Sequence, residues 1–304
     1  MEFDCATREN VSFMLERGRN NFRGAWLQGA DLRGKNIAGK NFTRADLRDA
    51  DLSGADLTGA RLQGADLRNA VLRNAVLVKA DFAGARLYKA DLSEADLSGA
   101  NLENADCILS KLVEARCSGA VFSGADLSGV DLSRADLRNA NFGGALFFGT
   151  DLSGADLAGV NLNDAKLYFA ALKGVDLKTA RLDRTDLRDA NLSGADFRKS
   201  RLSNTVLIGA DFTGALLQEA DLRNMNLSGV EFDRANLSGA DLSGADLAEA
   251  SLKRVRLSGA KLAGARISRK YLPLIAAQNV EFSRVVWVDG RAKKDEVAQP
   301  PAEK

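Results

Sequence analysis

Histidine is absent from this 304-residue chain. That absence excludes His-dependent triads, His–Cys nucleophile pairs and nearly all familiar zinc sites. Cysteine is scarce: Cys5, Cys107 and Cys117 make no disulfide framework and have no metal-ligand spacing. None of the 3 prolines falls between residues 20 and 269, so every backbone N–H of that span is available to a hydrogen-bonded ladder. No apolar run approaches the roughly 18 residues that a membrane helix needs. The first residues, MEFDCATREN, lack the basic-then-apolar layout of a secretory signal. A cytoplasmic location without membrane contact is the expectation. Excess charge is missing too: 42 Lys and Arg against 41 Asp and Glu leave a net +1, which gives no bulk attraction to nucleic acid or anionic lipid.

What the chain does have is repetition. From Asn20 to Arg269 it reads in five-residue units without an insertion or deletion, as in ADLSGADLTGARLQGADLRNA, residues 50–70. Taking the large apolar residue of each unit as its centre, 50 consecutive centres from Phe22 to Ile267 hold 37 Leu, nine Phe, two Ile and two Cys. The residue two before the centre is Ala in 36 units, and the residue just before it is Asp or Asn in 30. A period of five matches neither regular structure. On an α-helix the leucines would spray around the circumference, and on a continuous strand they would flip faces at every repeat. Each unit must therefore contain its own change of direction. A three-residue extended segment and a two-residue corner suffice, with Ala and Leu pointing inward and the Asp between them outward. Gly and Asn in the fifth place tolerate a corner's backbone angles.

The exceptions give the number of corners per turn. Phe22, Phe42, Phe82, Phe122 and Phe142 are separated by multiples of 20, so four units make one coil. The pattern A(D/N)LXX resembles the pentapeptide-repeat family over about four fifths of the chain. The resemblance implies an all-β fold, a right-handed quadrilateral β-helix, here with a short N-terminal capping helix and a C-terminal cap. The expected divisions are 1–19 (capping helix), 20–269 (β-helix), 270–289 (C-terminal cap with two in-frame units centred on Phe282 and Trp287) and 290–304 (disordered tail). Thr7 is the expected N-cap of a helix through Val11, Met14 and Leu15 that stops at Gly18. Lys35 and Lys40 fall at inward positions, which predicts an irregular first coil. The C-terminal element reads as a lid, with a dimer contact as the alternative that the resemblance raises.

No catalytic, metal or cofactor site is expected. Cys107 and Cys117 stand ten residues apart, on opposite walls of one coil, too distant for a disulfide and suited to inert packing. The Asp ladders read as solvated or bonded to neighbouring corner amides.

One surface feature rises above the repeat. The position after each centre faces solvent and is usually Ser, Arg or Thr, but Val78, Tyr88, Ile108, Val113, Phe148, Tyr168 and Ile208 are large and apolar. Tyr88, Ile108, Phe148, Tyr168 and Ile208 share one column, with Leu109, Leu146, Phe169 and Val206 on the same wall and Trp26 far toward the N-terminal end. This ridge predicts a non-enzymatic interaction protein or scaffold that binds a protein partner or itself, as a homo-oligomer, through an apolar wall, with no direct nucleic-acid binding. The resemblance raises two alternatives. One is a DNA-mimicking gyrase modulator of the quinolone-resistance type, which a tract with 33 basic and 32 acidic residues imitates poorly. The other is a bacterial effector using the repeats as a targeting module.

Overall fold

The computed structural model describes residues 7 and 9–289 apart from Ser203, Asn279 and Ser283. The expected disordered tail, 290–304, lies outside the described residues. Along the tract, with the exceptions of Asp156–Asp176, Arg181–Arg201 and Val206–Asn226, the residue before each centre bridges, in parallel, the residue twenty positions on: Asn21 with Asn41, Trp26 with Asp46, Asp31 with Asp51, and so forward to Asp241 with Lys261. Four units therefore close each coil, and the chain winds as a four-sided β-helix.

A regular unit places four of its five amides in backbone hydrogen bonds. In the unit centred on Leu27, the Leu27 N–H donates to the Asp46 carbonyl of the next coil at 2.7 Å and Gly29 N–H to the Arg48 carbonyl at 2.8 Å. Ala30 N–H closes the corner onto the Leu27 carbonyl at 3.0 Å, and in the next coil Asp46 N–H donates back to Ala25 at 2.9 Å. The fifth amide, on the residue after the centre, faces out of the ladder. In every unit whose pre-centre residue is Asp or Asn, from Asn21 to Asp246, that side-chain oxygen accepts this amide. The Asp of the repeat thus completes the hydrogen bonding of its own turn. Where Arg follows the centre, its guanidinium also closes onto that Asp, as in Arg48–Asp46 and Arg68–Asp66 at 2.6 Å and Arg138–Asp136 at 2.7 Å.

The corner's third residue, except at Thr179, Asn204 and Glu249, has positive φ, as a type II turn requires. It is glycine in units such as Gly54 (φ 64) and Gly129 (φ 65), and Asn, Asp, Lys, Arg or Glu in most others.

Leucines and alanines fill the interior, nearly all inaccessible to solvent. The phenylalanines twenty residues apart stack face to face: Phe22 on Phe42 with ring centroids 5.1 Å apart, Phe122 on Phe142 at 4.9 Å and Phe212 on Phe232 at 5.5 Å. Cys107 and Cys117 are free and buried in this core. Desolvation pushes both thiols well above the ordinary cysteine range. The tract's 12.5 coils, at about 4.8 Å each, make a rod about 60 Å long.

At the N-terminal end helix α1 (Val11–Glu16) buries Val11 and Met14 against the core. Its start differs from expectation. The N-cap is Asn10, and Thr7 serves through its backbone: its carbonyl accepts Val11 N–H at 3.0 Å, its N–H donates to Asn10 Oδ1 at 2.8 Å, and it bridges Trp26. Thr7 is held as an extra rung below the first coil, so its hydroxyl is not the cap. Gly18, at φ 77, ends the helix with Gly18 N–H to Leu15 and Arg19 N–H to Met14, both 3.0 Å, the bond pair of a Schellman motif.

The first coil is regular, contrary to the expectation from Lys35 and Lys40. The ladder keeps its register there, with Asn36 bridging Asp56 and Asp56 N–H donating to Lys35 at 3.0 Å. Lys40 escapes burial by reaching the coil's open end, where Nζ donates to the Arg19 carbonyl at 3.0 Å and Asn20 Oδ1 at 2.9 Å.

At the C-terminal end the last rungs lengthen into three parallel strands, β1 (Asp246–Leu247), β2 (Arg266–Ser268) and β3 (Val286–Val288). A short 3-10 turn, Arg269–Tyr271, and helix α2 (Leu272–Ala276) separate β2 from β3. Ile267 still sits opposite Trp287, in the twenty-residue register. No helix among the described residues is long and apolar enough to cross a membrane.

Candidate interaction wall

The side of the β-helix formed by residues such as 145–149 and 165–169 carries all nine candidate residues. Turn geometry places them: the residues before and after each centre point outward, and the next one occupies the corner. Three blocks result, separated by polar rungs. The first holds Tyr88, Ile108 and Leu109. Leu109 is 46% exposed and leans along the wall over Gly129, so close that a Cβ there would lie 2.7 Å from Leu109 Cδ2. Beneath it the rung of Asp126 and Ser128 is polar, the serine hydroxyl donating to the aspartate at 2.6 Å.

The second block is central and aromatic. Phe148 and Phe169 are 56% and 57% exposed and meet edge to face, their centroids 5.5 Å apart, with Leu146 and Tyr168 beside them. Tyr168 is half-buried, and Arg188 explains why: its guanidinium lies 4.7 Å over the ring, donates to the phenol oxygen at 2.7 Å and pairs with Asp186. That Arg188–Asp186 pair forms the second polar rung. It separates the centre from the third block, Val206 and Ile208, both little more than one-third exposed. Trp26 is 70% exposed but stands alone near the N-terminal end.

Two of these residues carry a cost that the sequence did not disclose. Among the described residues 21 non-glycine positions have left-handed φ, and only Leu109 and Phe169, both at φ 57, are apolar. The other 19 are Asn, Asp, Lys, Arg or Glu. A bulky side chain in that region is a backbone outlier costing roughly 1–2 kcal/mol. Leu146 and Val206 occupy the place where Asp usually accepts the turn amide, so the Phe148 and Ile208 amides lack that side-chain acceptor.

The family model of pentapeptide repeats matches the chain in overlapping segments from residue 25 to residue 269. The crystal structure of HetL, a pentapeptide-repeat protein involved in heterocyst differentiation regulation in the cyanobacterium Nostoc sp. strain PCC 7120, is 33% identical. The match covers 84% of this chain and 95% of HetL, with a TM-score of 0.31. QnrB1, a plasmid-mediated fluoroquinolone resistance protein, is 17% identical over 79% of this chain and 94% of its own, with a TM-score of 0.30. Rfr23, from the cyanobacterium Cyanothece 51142, is 22% identical over 57% of this chain and 91% of its own, with a TM-score of 0.22. No protein of curated function matches. The superpositions carry no argument at such scores; the repeat match, which spans most of the chain, does, and by it this chain belongs to the pentapeptide-repeat family.

Proposed function

We propose that the chain is a non-enzymatic interaction protein that presents the Tyr88–Ile208 wall of a rigid β-helix to a protein partner or to a second copy of itself. The observation that carries the reading is the placement of Leu109 and Phe169. Both take left-handed turn positions at which glycine, asparagine or aspartate would be easier, Leu109 enlarging the apolar block of Tyr88 and Ile108 and Phe169 that of Leu146, Phe148 and Tyr168. Neutral substitution on a solvated face would favour residues that suit the turn. Here the local cost is tolerated in two units of one wall, beside an exposed aromatic pair.

The wall spans six coil steps from Tyr88 to Ile208, about 29 Å at about 4.8 Å per step. Its apolar area is on the order of several hundred Å², roughly one side of a modest interface. The helical caps fit the same reading: α1 and the α2–β3 segment cover ends that would otherwise pair with other strands. DNA mimicry is disfavoured because the tract's charges nearly cancel. HetL's involvement in regulating heterocyst differentiation is a role that an interaction protein can fill. The test is association: replacing Phe148 and Tyr168 by serine should preserve the fold and weaken capture or self-association at least tenfold.

A further inference from the structure

Among the described residues the ladder opens at three rungs, Asp156–Asp176, Arg181–Arg201 and Val206–Asn226, and at the middle one two arginines face each other. Arg181 and Arg201 occupy the pre-centre position of adjacent coils, where Asp or Asn is usual. The rung expected between them is missing: among the described residues Arg181 does not bridge Arg201, Leu182 N–H does not reach the Arg201 carbonyl, and Arg201 N–H does not reach Ala180. The rungs on either side along the same column persist, Asn161 bridging Arg181 and Arg201 bridging Asp221. The opening forms a cleft of about 660 Å³ lined by Lys178, Arg181, Lys199, Arg201, Asn163 and Asn204, among others.

The charges within it do not cancel. Asp183 is the single carboxylate lining the cleft, and it is already engaged by Arg184 and by Asn204, whose Nδ2 donates at 2.7 Å. Lys178 pairs with Asp176 and Asp196, while Lys199 is only loosely matched to Glu219 at 3.8 Å. Arg181 and Arg201 have no ion pair among the described residues. Elsewhere on the rod neighbouring arginines are neutralised in place: Arg48 and Arg68 also stand twenty apart, but each closes onto its own Asp. Like charges directly opposite on adjacent strands repel, so the two arginines leave this rung with uncompensated positive charge.

We propose that this cleft is a binding site for a small phosphate-class oxyanion. A dianion between the two guanidiniums would turn their repulsion into two forked, charge-assisted pairs. The unpaired Leu182 and Arg201 amides and the Asn163 and Asn204 side chains supply further donors. This site is separate from the apolar wall and does not depend on the interaction reading.

Isothermal titration and thermal shift of the full chain with inorganic phosphate and with glycerol phosphate test the proposal. Wild type should show saturable heat and a raised Tm at millimolar ligand. Arg181→Gln combined with Arg201→Gln should weaken binding at least tenfold, and Lys253→Gln, remote and exposed, should leave it unchanged. If the double variant fails to fold, Lys199→Gln should still reduce affinity about threefold. Equal binding of both ligands assigns a phosphomonoester; binding of inorganic phosphate alone assigns the free ion. No saturable binding by wild type overturns the proposal, and so does binding that survives the arginine and lysine substitutions.

Discussion

Restoring glycine at the two strained wall corners should separate folding from association. Leu109 and Phe169 each hold φ 57, a conformation that costs an L-residue roughly 1–2 kcal/mol and glycine almost nothing. Glycine also gains conformational freedom in the unfolded chain, which takes back about 0.4–1 kcal/mol. For Leu109→Gly the balance is a stabilisation of about 0.5 kcal/mol, because the side chain is exposed and loses only its contact along Gly129. Phe169→Gly also loses the edge-to-face contact with Phe148, a pair that contributes about 0.5–1.5 kcal/mol, so its balance falls near zero. The double variant should melt within about 2 °C of wild type, and Leu109→Gly alone at or slightly above it. Its association should fall, because half of the central aromatic pair is gone. Calorimetric melting and sedimentation equilibrium on the same samples check both. A drop of many degrees for Leu109→Gly would refute the reasoning, since the leucine would then be serving the fold and not a surface.

Three further outcomes follow from the same geometry. Leu137→Asp should cost several kcal/mol by burying an unpaired charge in the leucine stack, whereas Ser133→Asp, on the outer face, should change stability by no more than about 0.5 kcal/mol; similar melting temperatures would show that the inward register is wrong. The carboxyls of Asp46, Asp136, Asp196 and Asp221 are held below the usual range, first by their hydrogen-bonded arginines. Depressed folded-state values stabilise the fold above the ordinary Asp range and lose that contribution as pH falls through them. Tm should therefore be flat from neutral pH to about 5 and decline below about 4, and a decline beginning near neutrality would contradict this assignment. With purified DNA gyrase, the chain should neither inhibit supercoiling nor protect against quinolones at low micromolar concentration; dose-dependent protection would promote DNA mimicry over the apolar wall.

The period of five and the twenty-residue coil were legible because each is a spacing, and an uninterrupted tract cannot slip its register without turning leucines outward. The phenylalanine stacks and the Ile267–Trp287 pairing realise those spacings. Which amide each Asp serves was not legible, because the sequence left solvation and corner bonding as equal choices until the turn geometry placed Asp51 against the Ser53 amide at 3.0 Å. Thr7 misled because a cap can be made by a backbone carbonyl, which every residue possesses, and Lys40 because a long side chain can leave an open end. On the wall the column was visible, while the left-handed backbone of Leu109 and Phe169 and the polar rungs at Ser128 and Arg188 emerged only from the structure. The arginine-lined cleft did carry a sequence signal that went unread: Arg181 and Arg201, twenty apart, both stand where Asp would close the turn.

The claim that the wall is an interaction surface is tested most directly by Phe148→Ser combined with Tyr168→Ser. Serine is common at the position after the centre, and neither side chain enters the core, so circular dichroism and Tm should match wild type within about 1 kcal/mol. Sedimentation equilibrium, together with quantitative capture from the native cell, should show association or partner recovery reduced at least tenfold, about 1.4 kcal/mol. A folded variant that self-associates and captures the same proteins as strongly as wild type would contradict the account and reduce the ridge to ordinary surface variation.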